Sequence, residues 1–168
     1  GLAGSNPASA TTYREVSMKV LFLHGLESVP GGTKPKHLES LGHQVLNPAL
    51  LKDNFEESVQ IAQKVFDKEK PDVVVGSSRG GAVAMALDNP NVKTVLIAPA
   101  YKKYNVSPTH VTRRGETVVL HSICDEVISV KDSADLVTEH GYRLHVCGAN
   151  HRMSDKDALT MLAKVLYD

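Results

Sequence analysis

Gly76-Ser77-Ser78-Arg79-Gly80-Gly81 joins a strand-like run, Asp72 to Val75, to a small, apolar, helix-compatible run, Ala82 to Leu87. Gly76, Ser78 and Gly80 fit G-x-S-x-G, a sharp strand-to-helix turn that lifts a serine hydroxyl above a parallel sheet. A serine in that turn sits in strained backbone, so the residues two before and two after it must be small to avoid collision. This spacing selects Ser78, not Ser77, as the candidate nucleophile. The bland alternative is a serine in an ordinary tight turn, where Gly and Ser are common. A serine hydroxyl is a weak nucleophile until an imidazole accepts its proton, and a carboxylate on the far ring nitrogen fixes the tautomer and stabilises the imidazolium.

The elements that must position these groups follow from the alternation of short β-branched runs with longer helix-compatible ones, which predicts a mostly parallel sheet with helices on both faces. Six strands are expected: Lys19 to Leu23, Gln44 to Leu46, Val73 to Val75, Thr94 to Ala98, Thr117 to His121 and Arg143 to Cys147. Helices are expected at Lys34 to Leu41, Phe55 to Lys68, Gly80 to Asp88, Lys131 to Glu139 and Asp155 to Tyr167. Phe55, Val59, Ala62 and Phe66 form one buried stripe at helical spacing, and Ala158, Met161, Leu162 and Val165 form another. Pro71, Asn89-Pro90 and Gly141 close helices, and Ser154 is the expected cap of the last one. The stretch from Pro99 to Gly115 is the longest irregular segment, and loops of that size are often functional.

The chain has 168 residues. Residues 1–17, rich in Ala, Ser, Thr and Gly and without periodicity, read as a leader left by expression, with Met18 as a natural start. Residues 18–168 fit one α/β domain. Nineteen basic and nineteen acidic residues cancel, which removes any global electrostatic argument for nucleic acid or an anionic membrane surface. No apolar run reaches a membrane span and none has the flanks of a secretory signal, so a soluble cytoplasmic protein is expected. Cys124 and Cys147 lack zinc-ligand spacing and are too few for a disulfide framework, so both are expected as free thiols lying near one another.

From Met18 to Asp168 the chain resembles a small α/β-hydrolase, trimmed of that family's first two strands and of any cap domain. The family places its triad in the order serine, acid, histidine. His121-Ser122-Ile123-Cys124-Asp125-Glu126-Val127-Ile128 resembles its H-G-x-x-D-x-x-V segment, and Gly148-Ala149-Asn150-His151 its G-x-x-H loop. The resemblance implies Asp125 as the orienting acid and His151 as the base. It implies an oxyanion hole from the backbone N–H of Arg79 and of Leu26, which follows His24-Gly25. Ser122 stands where glycine is usual and Ser129 where proline is common, which leaves Glu126 as a fallback acid. His24 is read as a structural support of the oxyanion loop. His121 and His145 fall within strands, where burial or packing is the simpler reading.

Gly31-Gly32-Thr33-Lys34 lacks the order and spacing of a phosphate loop, and no dinucleotide fingerprint is present. Between Asn89 and Gly115 lie Lys93, Lys102, Lys103, Arg113 and Arg114 and no acid. A solvated basic loop is the first reading of that segment, and recognition of an anionic substrate together with Arg79 is the second. Tyr101 and Tyr104 are placed at the pocket mouth, and Asp132 and Asp135 on a solvated helix face. The resemblance implies a serine hydrolase acting on a small ester or thioester through an acyl-enzyme, with no metal or organic cofactor. The alternatives are a noncatalytic hydrolase-like scaffold that binds a ligand or partner, and an acyltransferase using the same triad.

Overall fold

A computed structural model describes residues 16–26, 29–107 and 115–168. Residues 1–15 of the expected leader, and Arg113 and Arg114 of the basic segment, lie outside the described residues. The strands are β1 (Lys19–Leu23), β2 (Gln44–Leu46), β3 (Val73–Ser77), β4 (Lys93–Ile97), β5 (Thr117–His121) and β6 (Arg143–Val146). The helices are α1 (Thr33–Ser40), α2 (Phe55–Glu69), α3 (Arg79–Ala86), α4 (Val130–His140) and α5 (Lys156–Val165). Expected and observed ends differ by at most two residues. The sheet runs β2-β1-β3-β4-β5-β6 and is parallel at every pairing.

Successive side chains on a strand face opposite ways, and the core divides accordingly. Val20, Phe22, Val73, Val75, Val118 and Leu120 pack toward Leu38 of α1 and Ala158, Leu162 and Val165 of α5. Leu21, Leu23, Val74, Leu96 and Val119 pack on the other face with Ala62 of α2, Val83 of α3 and Leu136 of α4. Burial on both sides explains why the central strands read as unbroken apolar runs.

Strand order reverses at β1, because the chain leaves it on one side for β2 and returns on the other for β3. The crevice beyond the carboxyl ends of β1 and β3 is where open α/β sheets bind ligands. It lies between the loop that follows Leu23 and the turn that follows Ser77.

Helix ends follow local chemistry. The Asn54 side chain accepts from Glu57 N, and Ser129 accepts from Lys131 N. Asp155, not the expected Ser154, caps α5, since its carboxylate reaches Ala158 N while Ser154 Oγ donates to Arg152 O. Among the described residues, no helix is long and apolar enough to cross a membrane. Val16 O accepts from Tyr167 Oη, and Ser17 Oγ donates to Gly42 O.

Two glycines set how closely α3 approaches the sheet. A Cβ on Gly80 would lie 2.0 Å from Leu23 O, and one on Gly76 would lie 2.4 Å from Gly80 O. Both obstacles are backbone and cannot rotate away. Gly80→Ala is expected to destabilise the fold by about 3 kcal/mol, the upper part of the overpacking range. A denaturation midpoint showing a loss below about 1 kcal/mol would contradict this close contact.

Candidate active site

Ser78 precedes α3 with φ 55° and ψ −115°, a left-handed conformation that is strained for a side chain-bearing residue. Its N–H donates to Ile97 O, and its carbonyl accepts from Gly81, Ala82 and Ala100 N. Four backbone hydrogen bonds thus hold the strained residue in place. Its hydroxyl meets His151 Nε2 at 2.9 Å, and His151 Nδ1 meets Asp125 Oδ2 at 2.7 Å. A carboxylate can only accept, so Nδ1 carries the ring proton and Nε2 is free to accept from Ser78. The structure therefore brings together all three side chains, from the turns after β3, β5 and β6.

Asp125 is saturated with donors. Its Oδ1 accepts from Val127 N and Ile128 N, both at 2.8 Å. Its Oδ2 accepts from His151 Nδ1 and lies 3.0 Å from His121 Nε2. Burial raises the Asp125 pKa, but hydrogen bonds from His151, Ile128 N and Val127 N outweigh it and hold the carboxyl below its ordinary value. Glu126, the fallback acid, is exposed.

His121 does more than pack. It is fully buried, its Nδ1 meets Ser133 Oγ at 2.6 Å, and its Nε2 faces both Ile128 O and Asp125 Oδ2. A nitrogen facing two acceptors must carry the proton, so His121 Nε2 donates to Asp125. The sequence signal for it was its place four residues before Asp125, at the first position of the acid segment.

Both departures from the family pattern have local explanations. Ser122 Oγ donates to Gly148 O and accepts from Cys124 N, tying the acid loop to the histidine loop. Ser129 has φ −62° and ψ 135°, a conformation that proline also adopts. The histidine loop is fixed further by Gly148 N donating to Asp157 and Ala149 N to Asp155. Cys124 is exposed and Cys147 buried, both as free thiols.

His24 takes the structural part expected of it. Leu50 N donates to its Nε2, so its Nδ1 carries the proton and donates to Gly25 O. Leu26 follows on the rim of the crevice. Arg79 opens α3, so its N–H belongs to the first turn, where helical donors have no intrahelical acceptor.

A cavity of about 710 Å³ adjoins Ser78 and His151, with Leu26, Arg79, Tyr104 and Val127 among its lining residues. Two expectations about its walls need correction. Tyr101 is 8% exposed, packs in the core, and donates its hydroxyl to Asp132 O, so it is not at the mouth. Arg79 borders the cavity, but its guanidinium is buried, donates to Leu51 O and Ser58 Oγ, and lies 5.5–5.6 Å from the ring centroids of Tyr104 and Phe55. That guanidinium pins the β2–α2 loop to the turn and is not presented to a ligand. Tyr104 lines the cavity, stacked on Phe55 at 4.8 Å.

Of the basic segment, only Lys103 reaches the cavity among the described residues. Lys93 pairs with Glu116, and Lys102 pairs with Asp132 and Asp135. The two aspartates are thus ion-pair partners rather than a free solvated face. Lys34 and Arg152, to which the sequence reading gave no part, also line the cavity. Among the described residues, no group of three or more His, Cys, Asp and Glu side chains is arranged to hold a metal ion.

No protein-family profile and no curated protein matches this chain. Solved structures do resemble it. A Xanthomonas campestris pv. campestris protein assigned to the hydrolases of the α/β superfamily superposes with a TM-score of 0.73 at 20% identity, over 89% of this chain and 97% of that one. The esterase domain of a Rhodothermus marinus protein gives 0.66 at 19% identity, over 89% and 84%. Mouse alpha/beta hydrolase domain-containing protein 10 gives 0.68 at 15% identity, over 89% and 88%. With its parallel six-stranded sheet and serine turn after β3, the chain has the α/β-hydrolase fold.

Proposed function

We propose that the protein is a serine hydrolase that cleaves a small ester or thioester through an acyl-enzyme. The observation that carries this reading is the continuous relay from Ser78 Oγ through His151 to a donor-saturated Asp125. Ser78 attacks the carbonyl carbon as its proton passes to His151 Nε2, and Asp125 stabilises the imidazolium without taking the proton. The negative charge on the carbonyl oxygen falls to the N–H groups of Arg79 and Leu26, worth about 3 kcal/mol of transition-state stabilisation each. His151 then protonates the departing alcohol or thiol. Water, deprotonated by the same imidazole, resolves the acyl-enzyme and regenerates Ser78. No step calls for a metal or organic cofactor. Two free thiols suit a reducing compartment such as the cytoplasm.

A fluorophosphonate probe should label native protein at Ser78 and leave heat-unfolded protein unmodified. Ser78→Ala should abolish labelling and lower kcat on an activated ester by a factor on the order of 10⁵–10⁶. Retained hydrolysis would remove Ser78 from the mechanism, whereas absence of any labelling of native protein would favour a ligand-binding scaffold.

Asp125→Asn should keep the fold and lower kcat by about 10⁴, through loss of the correct His151 tautomer. The ordinary carboxyl value of 3.8 is lowered in the folded protein, so the ionised group's stabilisation is full above that value and fades as pH falls through the folded value. The stability difference between wild type and Asp125→Asn should therefore be largest near neutral pH and shrink below about pH 4, as read by denaturant midpoints. A difference that does not change with pH would show that Asp125 is not ionised in the folded protein.

A further inference from the structure

Among the described residues, the charged side chains on the wall of the cavity beside Ser78 are all basic. Lys34, Lys103 and Arg152 line it, and no Asp or Glu does among the described residues. The chain as a whole has zero formal charge, so this concentration of cations is local. Elsewhere the basic residues Lys19, Lys93, Lys102 and Arg143 have carboxylate partners.

Lys34 sits in the first turn of α1. Its ammonium donates to Arg152 O at 2.6 Å, which draws the α1 turn to the residue next to His151. Burial and the neighbouring Arg152 charge both disfavour the ammonium and lower its pKa to about 8. Among the described residues, no carboxylate offsets either effect. Gly32, the N-cap of α1, supplies no side-chain cap, and Gly32, Thr33 and Pro35 line the same wall, so the positive end of the helix dipole adds to the field. Like charges gathered on a concave, partly desolvated wall repel one another until an anion joins them.

Resting on the hydrolase reading above, we infer that the ester or thioester substrate carries a negatively charged group, held against Lys34, Lys103 and Arg152 while its carbonyl lies at Ser78. The cavity, at about 710 Å³, falls within the range of small-ligand sites, about 300–1,000 Å³. Opposite charge accelerates encounter as well as holding the bound state, so the effect belongs in kcat/KM and weakens with salt.

The test compares matched esters, each rate divided by that ester's own hydroxide-catalysed rate. One pair places the charge on the acyl side: p-nitrophenyl monoglutarate against p-nitrophenyl pentanoate. The other places it on the leaving group: 4-acetoxybenzoate against phenyl acetate. In at least one pair the charged ester should lead in kcat/KM by about tenfold at low salt, and the lead should shrink at high ionic strength. Lys103→Gln and Arg152→Gln, both at exposed positions, should each lower that ratio several-fold. Lys103→Arg and Arg152→Lys should preserve it. Lys34→Gln should lower it too, and the two exposed variants decide the matter if that protein misfolds. Turnover of neutral esters with no charge preference in either pair would overturn the anion inference while leaving the hydrolase reading intact. If neither ester is cleaved and no fluorophosphonate adduct forms, both fall together.

Discussion

The contact between Gly80 and the Leu23 carbonyl is the constraint on which the site rests. A Cβ there would stand 2.0 Å from that oxygen, so α3 can lie against the end of β1 only because residue 80 has no side chain. That closeness leaves the chain no room for a gradual turn, and the strain concentrates on Ser78 at φ 55°. Strain of this kind costs roughly 1–3 kcal/mol and persists only where the surroundings over-determine it. Here the hydrogen bonds from Ser78 to the carbonyl of Ile97 and from Gly81, Ala82 and Ala100 supply that determination. The same turn puts a hydroxyl at the crest of the sheet and places the Arg79 N–H at the start of α3.

Asp125 and His151 are positioned differently, by polar saturation instead of strain. Asp125 lies in a loop, where a carboxylate would ordinarily sample many rotamers. Two backbone N–H groups and two imidazoles take its lone pairs and leave it one orientation. His121 is itself held by Ser133 on α4, so the helix after the acid loop reports its position to the carboxylate. Ser122 links that loop to Gly148, and Asp155 and Asp157 hold the backbone just before His151. The two loops behave as one polar unit mounted on β5 and β6.

A second support runs beneath Ser78. Arg79 reaches Leu51 O and Ser58 Oγ, while His24 accepts from Leu50 N. The β2–α2 loop is thereby fastened to the serine turn and to the loop after β1 at once. Among the described residues the buried guanidinium has no carboxylate partner, which is costly. Carbonyl and hydroxyl acceptors and the faces of Phe55 and Tyr104 offset part of that cost. Its positive charge also stands beside the cavity, where it adds to the field of Lys34, Lys103 and Arg152.

Local information was enough for the elements and for the turn that carries Ser78. Apolar runs of four or five residues buried on both faces, helical stripes such as Phe55, Val59, Ala62 and Phe66, and the two glycines flanking Ser78 each carry their constraint within a few residues of sequence. The order of Ser78, Asp125 and His151 was legible through resemblance to a family. What residues 34, 101 and 152 do was not, because each depends on partners distant in the chain. Tyr101 turns into the core because Asp132, 31 residues away, offers its hydroxyl a carbonyl. Lys34 reaches the cavity because Arg152, 118 residues away, offers its ammonium another. Charge and hydrogen-bonding capacity are properties of a residue type, but whether they are spent on the protein or left for a ligand is settled only when distant segments pack.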